Sequence, residues 1–207
     1  MGGAERLTHL YMQHFEVDRF EPRLCFFKVH DGNPWTEPIR QLGIPVDWLP
    51  VPHLRDITGL PRLVRYLSRH KADIVHTQLE FAATVGNLAA RFLQIPSVTT
   101  IHTLDSPPRG SKTHRRLTVM WWVLRNFCDQ VIAVSEGAAK QFIGVSGVAP
   151  DKVSVLYNGI DVNQFALSAD QRTRVRESLG LPPNAQVLMT VAVLREPKGI
   201  QYLIQAL

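Results

Sequence analysis

The chain has 207 residues, of which 45% are hydrophobic and 20% are charged. These values are typical of a folded globular protein and unlike those of a disordered or fibrous chain. Two cysteines, Cys25 and Cys128, are too few for a disulfide scaffold or a cysteine-rich zinc site, so a reducing compartment fits best. No apolar stretch approaches the roughly 20 residues of a membrane-spanning helix, and the first residues lack the apolar core of a secretory signal. We therefore expect neither a membrane-spanning protein nor a small secreted one.

The net charge of +5 has a local origin. One segment, residues 109–125, holds five basic residues and no acidic one, namely Arg109, Lys112, Arg115, Arg116 and Arg125. The rest of the chain is close to neutral, which does not favour a general affinity for polyanions. Zinc-finger spacing, an RNP-like aromatic pattern and a dense basic tail are all absent from the sequence. We therefore do not expect a nucleic-acid partner.

Strand-like and helix-like stretches alternate along most of the chain. Strands are predicted at Arg23–Val29, Val46–Val51, Ala72–His76, Ser97–His102, Gln130–Ser135 and Lys152–Tyr157. Helices are predicted at about Gly59–His70, Glu80–Leu93, Thr113–Phe127 and Glu136–Ile143. This order, with short connections, predicts an α/β fold in which helices cover both faces of a parallel sheet.

The pattern changes after residue 165. Ser168 is a good N-cap for a helix that runs to about Leu179. Val187–Leu194 then reads as a strongly apolar strand, followed by a turn and by the start of a helix at Ile200–Leu207. A strand this apolar needs cover on both faces. We therefore interpret residues 185–207 as the first strand, turn and helix of a second α/β domain that is incomplete in this chain.

Four predicted strands end in small polar or hydrogen-bonding residues. In open parallel sheets, ligands bind beyond the carboxyl ends of the strands. The polar residues at these four ends are His76, Thr77, Gln78, His102, Thr103, Ser135, Glu136, Asn158 and Gly159. At any single strand end, a polar loop or a helix cap is a sufficient explanation. As a set, they predict a binding site at one edge of the sheet.

The start of the chain is rich in glycine. Gly2 and Gly3 precede a stretch with helical apolar spacing that begins at Leu7. A glycine turn at a helix N-terminus favours phosphate, because backbone N–H groups and the helix dipole point toward the ligand. The alternative is a flexible terminus, since the glycines do not form a complete G-x-G-x-x-G motif and no strand precedes them.

Six segments together resemble glycosyltransferase family 4 in order and spacing. They are GGAERL, ADIVHTQ, VTTIHTLD, DQVIAVSEGAAKQF, VSVLYNGIDVNQF and VAVLREPKGIQYLIQAL. The resemblance implies a GT-B fold, in which two Rossmann-like domains face a cleft. It also implies retaining transfer of a sugar from a nucleotide-diphosphate sugar, without a metal or other cofactor.

The same resemblance implies a domain division. Residues 1–165 correspond to an acceptor-side Rossmann-like domain without its first strand. Residues 166–184 correspond to a linker helix and loop, and residues 185–207 to the start of the donor-binding domain.

Individual residues match the family's functional positions. His102 matches the histidine that contacts the transferred sugar or the acceptor, so it is the catalytic candidate. Gly2 and Gly3 match the glycine loop beside the sugar and the diphosphate. Lys198 matches the lysine that neutralises the diphosphate leaving group, where a cation stabilises the charge that grows in the transition state.

One family position differs here. The usual arginine before that lysine is Val193 in this chain. Arg195 is either its replacement at the diphosphate or a solvated turn residue. For His76 we favour a structural role, and the other polar residues at the strand ends are candidates for lining the cleft.

The basic segment has three interpretations. Residues 111–127 combine arginines with tryptophans and aliphatic residues at helical spacing. They predict a core helix with a solvated first turn, or a surface that holds a peripheral enzyme on an anionic membrane that presents a lipid-linked acceptor. The third interpretation is a loop rim that attracts a phosphorylated acceptor.

We therefore expect a retaining glycosyltransferase that is cytoplasmic, or peripheral on the cytoplasmic face of a membrane. Its acceptor is a sugar, a lipid-linked molecule or another small molecule, and we expect no turnover from these 207 residues alone. One alternative is a non-catalytic acceptor-binding half that pairs with a separate donor-binding polypeptide. The other is a sugar-nucleotide epimerase of related fold.

Overall fold

The computed structural model describes residues 3–27, 34–51, 53, 56–102, 107–165, 168–194 and 196–207. The chain forms two compact units, Met1–Ile160 and Asp161–Leu207. The first unit holds all the strands that the structure describes.

Two parallel sheets form the centre of the first unit. In the smaller sheet, β1 (Leu24–Phe26) pairs with β2 (Val46–Trp48). The larger sheet has the order β3-β4-β5-β6, with strands at Val75–Gln78, Ser97–Ile101, Gln130–Ala133 and Val153–Val155. Every neighbouring pair is parallel. The predicted α/β fold with parallel strands is confirmed, although the strands are divided between two sheets.

Helices connect and flank these strands. In the first unit they are α1 (Gly3–Gln13), α2 (Thr36–Gln41), α3 (Gly59–Arg69), α4 (Glu80–Leu93), α5 (Lys112–Phe127) and α6 (Glu136–Ser146). The second unit contains α7 (Ala169–Ser178) and α8 (Ile200–Gln205). The sequence did not predict α2, which has only six residues and a proline at position 38. None of the helices in the described ranges combines the length and the hydropathy of a transmembrane segment.

Two buried clusters hold the helices against the larger sheet. On one side, Leu124 of α5 and Phe142 of α6 pack in a cluster with Val131 of β5. The other cluster joins α3 to α4 through Leu63 and Val85. Each fully buried aliphatic side chain contributes about 1.5–3 kcal/mol of transfer free energy. These clusters therefore hold α3 to α6 in place around the larger sheet.

The strand β3 lies later in the sequence than expected. The prediction was Ala72–His76, whereas the observed strand is Val75–Gln78. Thr77, which resembles a loop residue by type, is buried in the core, and its Oγ1 lies 2.7 Å from Thr99 Oγ1. Because alternate residues of a strand point to opposite faces, His76 and Gln78 share the other face of β3.

The predicted strand at Val187–Leu194 is wrong at the level of secondary structure. The structure assigns no strand to these residues, and Met189 and Val191 are 82% and 87% exposed. A strand forms when a neighbour accepts and donates its backbone hydrogen bonds. In the described part of the second unit, no strand is present to pair with this run.

The start of α7 agrees with its sequence signal. Ser168 Oγ accepts a hydrogen bond from the Gln171 backbone N–H, and the Gln171 side chain accepts one from the Ser168 N–H. This reciprocal arrangement satisfies two backbone donors that the helix itself leaves unpaired. The predicted N-cap is therefore confirmed.

Candidate functional site

The carboxyl ends of four strands meet at one edge of the larger sheet. β3 to β6 are parallel and in register, so the residues that follow them emerge on the same side. His102 directly follows β4, Ser135 is the second residue after β5, and Asn158 lies in the segment after β6. The strand-end residues that the structure describes therefore lie at one edge of the larger sheet.

The helix α1 crosses this edge. In the second turn of α1, Thr8 Oγ1 lies 3.2 Å from Gln78 Oε1 at the end of β3. One turn later, the Tyr11 hydroxyl donates a hydrogen bond of 3.4 Å to Asn158 Oδ1, in the segment after β6. The described part of this helix begins at Gly3, and a Cβ atom at Gly3 would meet nothing within 4 Å. The N-terminus of α1 therefore has open space beside it.

His102 is half-buried directly after β4. Its Nε2 lies 3.3 Å from Gln78 Oε1. Burial lowers the pKa of His102, while the negative charge of Glu5 on α1 opposes that shift. The ring is therefore mostly neutral at neutral pH, so one nitrogen donates and the other accepts a hydrogen bond.

His76 contacts the neighbouring strand rather than α1. Its Nε2 lies 2.8 Å from Thr100 Oγ1 on β4. Part of the side chain is exposed, but the atoms packed around the ring lower the pKa of His76, and the nearby His102 lowers it further. This contact joins β3 to β4, and the structural role expected for His76 stays a prediction.

Ser135 serves the helix that follows it. Its Oγ accepts a hydrogen bond of 3.1 Å from the Ala138 backbone N–H and so caps α6. Glu136 lies in the first turn of α6, where a carboxylate interacts favourably with the helix dipole. At Gly159, a Cβ atom would meet nothing within 4 Å, so no close packing requires glycine there. Of these residues, Asn158 makes the direct contact with α1.

Four candidates remain. Lys198 ends the short 3₁₀ segment Glu196–Lys198 of the second unit and is exposed. Gly2, Thr103 and Arg195 lie outside the described residues. Among the described residues, no group of three or more His, Cys, Asp or Glu side chains is placed to hold a metal ion.

Sequence reasoning did not assign a role to Gln78. The structure places Gln78 Oε1 within hydrogen-bond distance of both Thr8 and His102. The available signal was the two-residue period of a strand, which places Gln78 on the same face as His76. That signal was hidden because the predicted strand ended at residue 76.

The basic segment forms a helix with two different faces. Ser111 caps α5 by accepting a hydrogen bond from the His114 N–H. The core-facing side buries Leu117, Met120, Val123 and Leu124. The opposite side exposes Val119 and Trp122, each 49% accessible, together with Lys112, Arg115 and Arg125. The core-helix interpretation is confirmed for the buried face, and the outer face remains basic and partly apolar.

The chain is similar to known glycosyltransferases in sequence. The sequence model of glycosyltransferase family 4 matches residues 1–164. A UDP-Gal:α-D-GlcNAc-diphosphoundecaprenol α-1,3-galactosyltransferase of Escherichia coli is 25% identical over 100% of this chain and 54% of its own length. An α-maltose-1-phosphate synthase of Mycobacterium tuberculosis is 30% identical over 65% of this chain and 37% of its own length. The chain thus spans about half, or less, of these relatives.

Solved structures are similar as well. Anabaena HepE in complex with UDP superposes with a TM-score of 0.71 at 26% identity, over 86% of this chain and 47% of that one. A glycosyltransferase from Rickettsia africae gives a TM-score of 0.77 over 99% of this chain and 53% of that one. At 17% identity, this second likeness concerns the fold alone. These neighbours are GT-B glycosyltransferases, so the fold expected from the sequence resemblance is confirmed.

Proposed function

The chain belongs to glycosyltransferase family 4, and we propose that it supplies the acceptor-side part of an enzyme that transfers a sugar from a nucleotide-diphosphate sugar with retention of configuration. One observation carries this proposal. The helix α1 crosses the carboxyl edge of the sheet, where Gln78 contacts both Thr8 of this helix and His102. Anabaena HepE has been crystallised with UDP and with UDP-glucose, which supports a nucleotide-sugar donor.

His102 is the residue we assign to the transferred sugar or the acceptor. A half-buried neutral imidazole forms hydrogen bonds with a sugar hydroxyl without a charge that water must solvate. The lowered pKa of His102 keeps this form dominant at neutral pH. Gly2 and Gly3 are assigned to the diphosphate, since the N–H groups in the first turn of a helix favour an anion.

Lys198 is the residue we assign to the leaving group. Its exposed ammonium group is suited to neutralise the charge that builds on the diphosphate as the sugar departs. Arg195 is assigned to the same anion in place of the family arginine that is Val193 here. With these cations the reaction needs no metal.

The acceptor is a sugar, a lipid-linked molecule or another small molecule, and a lipid-linked one has specific support. The E. coli relative is named for an acceptor on diphosphoundecaprenol. On α5, the outer face carries Trp122 beside Arg115 and Arg125, a combination that binds anionic lipid surfaces. We propose a cytoplasmic protein that contacts the membrane peripherally through residues 109–125.

Vesicle sedimentation tests this contact. The chain should co-sediment with vesicles that contain phosphatidylglycerol but not with vesicles of phosphatidylcholine alone. The double substitution Arg115→Glu and Trp122→Ser should abolish co-sedimentation, whereas Arg174→Glu on the exposed surface of α7 should not. Equal binding of the two variants would contradict the membrane proposal.

Binding and transfer assays test the function itself. In isothermal titration calorimetry, UDP-glucose or UDP-galactose should bind the chain, and His102→Ala or Lys198→Ala should weaken binding at least severalfold. The matched controls His70→Ala, at the end of α3, and Lys140→Ala, on α6, should not. Absence of binding to every nucleotide sugar tested would overturn the proposal.

Turnover is measured in the same samples with added sugar or lipid acceptors. We expect no robust turnover from the 207-residue chain, because Lys198 follows an apolar run that is not paired in a sheet. Robust transfer would contradict that expectation and support a self-sufficient enzyme. Release of the nucleotide without any acceptor would instead favour epimerase chemistry.

A further inference from the structure

The junction between β3 and α4 links three elements around His102. Gln78, the last residue of β3, has its Oε1 3.2 Å from Thr8 Oγ1 of α1 and 3.3 Å from His102 Nε2. The single proton of the Thr8 hydroxyl is shared between Gln78 Oε1 and the Ala4 carbonyl oxygen, which lies 2.9 Å from Thr8 Oγ1. A single side-chain amide thus joins the ring of His102 to the helix that crosses the site.

The residue after Gln78 has an unusual backbone. Leu79 has φ 69° and ψ 156°, a region that almost only glycine occupies without strain. Such strain persists only where the surroundings hold the backbone in place, and it concentrates at functional sites. The strained backbone of Leu79 therefore indicates that the surrounding structure holds this junction in a fixed position.

The other side of Leu79 is anchored. Glu80 forms a two-pronged ion pair with Arg116 of α5, with both N–O distances 2.7 Å. Its backbone carbonyl accepts a hydrogen bond from the Thr84 hydroxyl. Paired charges with this fork geometry are directional as well as attractive. The anchor at Glu80 and the strand pairing of β3 together fix the direction in which Gln78 points.

We propose that Gln78 is the positioning residue of His102, and that its Oε1 accepts the Nε2 proton so that the neutral ring leaves Nδ1 as its hydrogen-bond acceptor. The second ring nitrogen of a neutral histidine is set by the bond that the first one makes. His102 then accepts a hydrogen bond from a hydroxyl group of the substrate rather than donating one. This consequence for the substrate rests on the proposed function, whereas the tautomer itself does not.

Charged and titratable groups around the ring agree with a neutral form. The charge of Glu5 on α1 raises the pKa of His102, and His102 in turn lowers the pKa of His76 on β3. Glu5 favours the charged ring and burial opposes it, with burial the larger effect. The amide of Gln78 orients the His102 ring without adding a charge.

Nitrogen-15 NMR of the histidine rings tests the proposal on the chain as it is. In the unsubstituted chain above the pKa of His102, the pyridine-type signal should belong to Nδ1 and the pyrrole-type signal to Nε2. Gln78→Met keeps the length of the side chain but removes the amide, so the two signals should move toward the average of a tautomer mixture. Gln78→Glu keeps an acceptor and adds a negative charge, so the tautomer should persist and the pKa of His102 should rise.

A matched control separates this effect from general damage. Gln130→Met replaces a glutamine of β5 whose side chain bonds Ser154, and it should leave the His102 signals unchanged. A pyridine-type signal on Nε2 in the unsubstituted chain would overturn the proposal, since it would mean that the Gln78 amide donates instead. His102 signals that do not differ between Gln78→Met and Gln130→Met, with both variants folded, would overturn it too.

The same experiment separates this proposal from the function. The tautomer is read without any ligand, so a chain that bound no nucleotide sugar would overturn the proposed function but not the role of Gln78. Conversely, nucleotide-sugar binding with an unchanged tautomer in Gln78→Met would overturn only the positioning role.

Discussion

Two apolar runs of this chain differ in their surroundings. β5 lies between β4 and β6, and its residues Val131 and Ala133 are 0% exposed. Val187–Leu194 is more apolar along its length, but it forms no strand, and most of its large side chains are exposed. Hydrophobic character is thus insufficient for a strand. Neighbours that complete the backbone hydrogen bonds and cover the faces are required as well.

A charge placed in each run should give the largest contrast. Val131→Asp buries an unpaired carboxylate in the centre of the larger sheet and should cost at least about 4 kcal/mol of the free energy of unfolding. Val191→Asp places the same group in water and should change it by less than about 0.5 kcal/mol. Urea unfolding followed by circular dichroism measures both. A loss at Val191 as large as that at Val131 would mean that the second run is buried in solution.

The second contrast is between a glycine that is packed closely against the larger sheet and one that has open space beside it. At Gly86 of α4, a Cβ atom would lie 2.5 Å from Thr77 Cγ2, so Gly86→Ala should destabilise the chain by about 1–3 kcal/mol. At Gly144 of α6 a Cβ atom would meet nothing within 4 Å, and Gly144→Ala should stabilise the chain by about 0.5–1 kcal/mol. In thermal unfolding, the melting temperature should fall for Gly86→Ala and rise for Gly144→Ala. Changes of the same sign would contradict the close packing of α4 on β3.

The strained junction beside β3 should respond to glycine. Leu79→Gly and Leu79→Ala both remove the leucine side chain, but only glycine adopts a φ of 69° without strain. Leu79→Gly should therefore be more stable than Leu79→Ala by about 1–2 kcal/mol, after the greater flexibility of glycine in the unfolded chain is subtracted. An alanine variant as stable as the glycine variant, measured by urea unfolding, would remove the evidence for strain at this edge.

Acid should lower the free energy of unfolding by a smaller amount than these substitutions. Burial lowers the pKa of His76 and the pKa of His102 in the folded chain, so the unfolded chain binds more protons below the ordinary histidine pKa of about 6.5. The contribution of these two rings is therefore present above that pH and is lost as the pH falls. The free energy of unfolding should decrease from pH 7 toward pH 5.

Substitution identifies the groups responsible. The double variant His76→Gln and His102→Gln should show a flatter pH dependence, while His14→Gln, at an exposed position after α1, should keep the original slope. A double variant with an unchanged slope would show that other groups cause the acid sensitivity.

The sequence predicted those parts of the fold in which local pattern and neighbours agree. The helix α4, with its apolar face and its end before Pro96, was predicted with the observed bounds. The end of β3 was not, because Thr77 is polar by type and becomes a core residue only through contacts with Thr99 and Asn87. Such contacts join distant parts of the chain, which periodicity does not report.

The candidate site was predictable to the same extent. His102, Gly2 and Gly3 were candidates because they lie at a predicted strand end and at a predicted helix start. Gln78 was only one of the polar residues after a strand, because its contact with Thr8 joins residues 70 apart in sequence. The roles assigned to all the candidate site residues, His102 included, stay predictions.

The most direct test of the central claim is a titration of the nitrogen-15-labelled chain with UDP-glucose, followed by amide and histidine NMR signals. The largest changes should occur in the first turns of α1, at Gln78 and at His102, all at the carboxyl edge of the larger sheet. Changes confined to the opposite edge, for example at Ser97 and Asp129, or no change at saturating ligand, would contradict the claim that this edge is the sugar-transfer site.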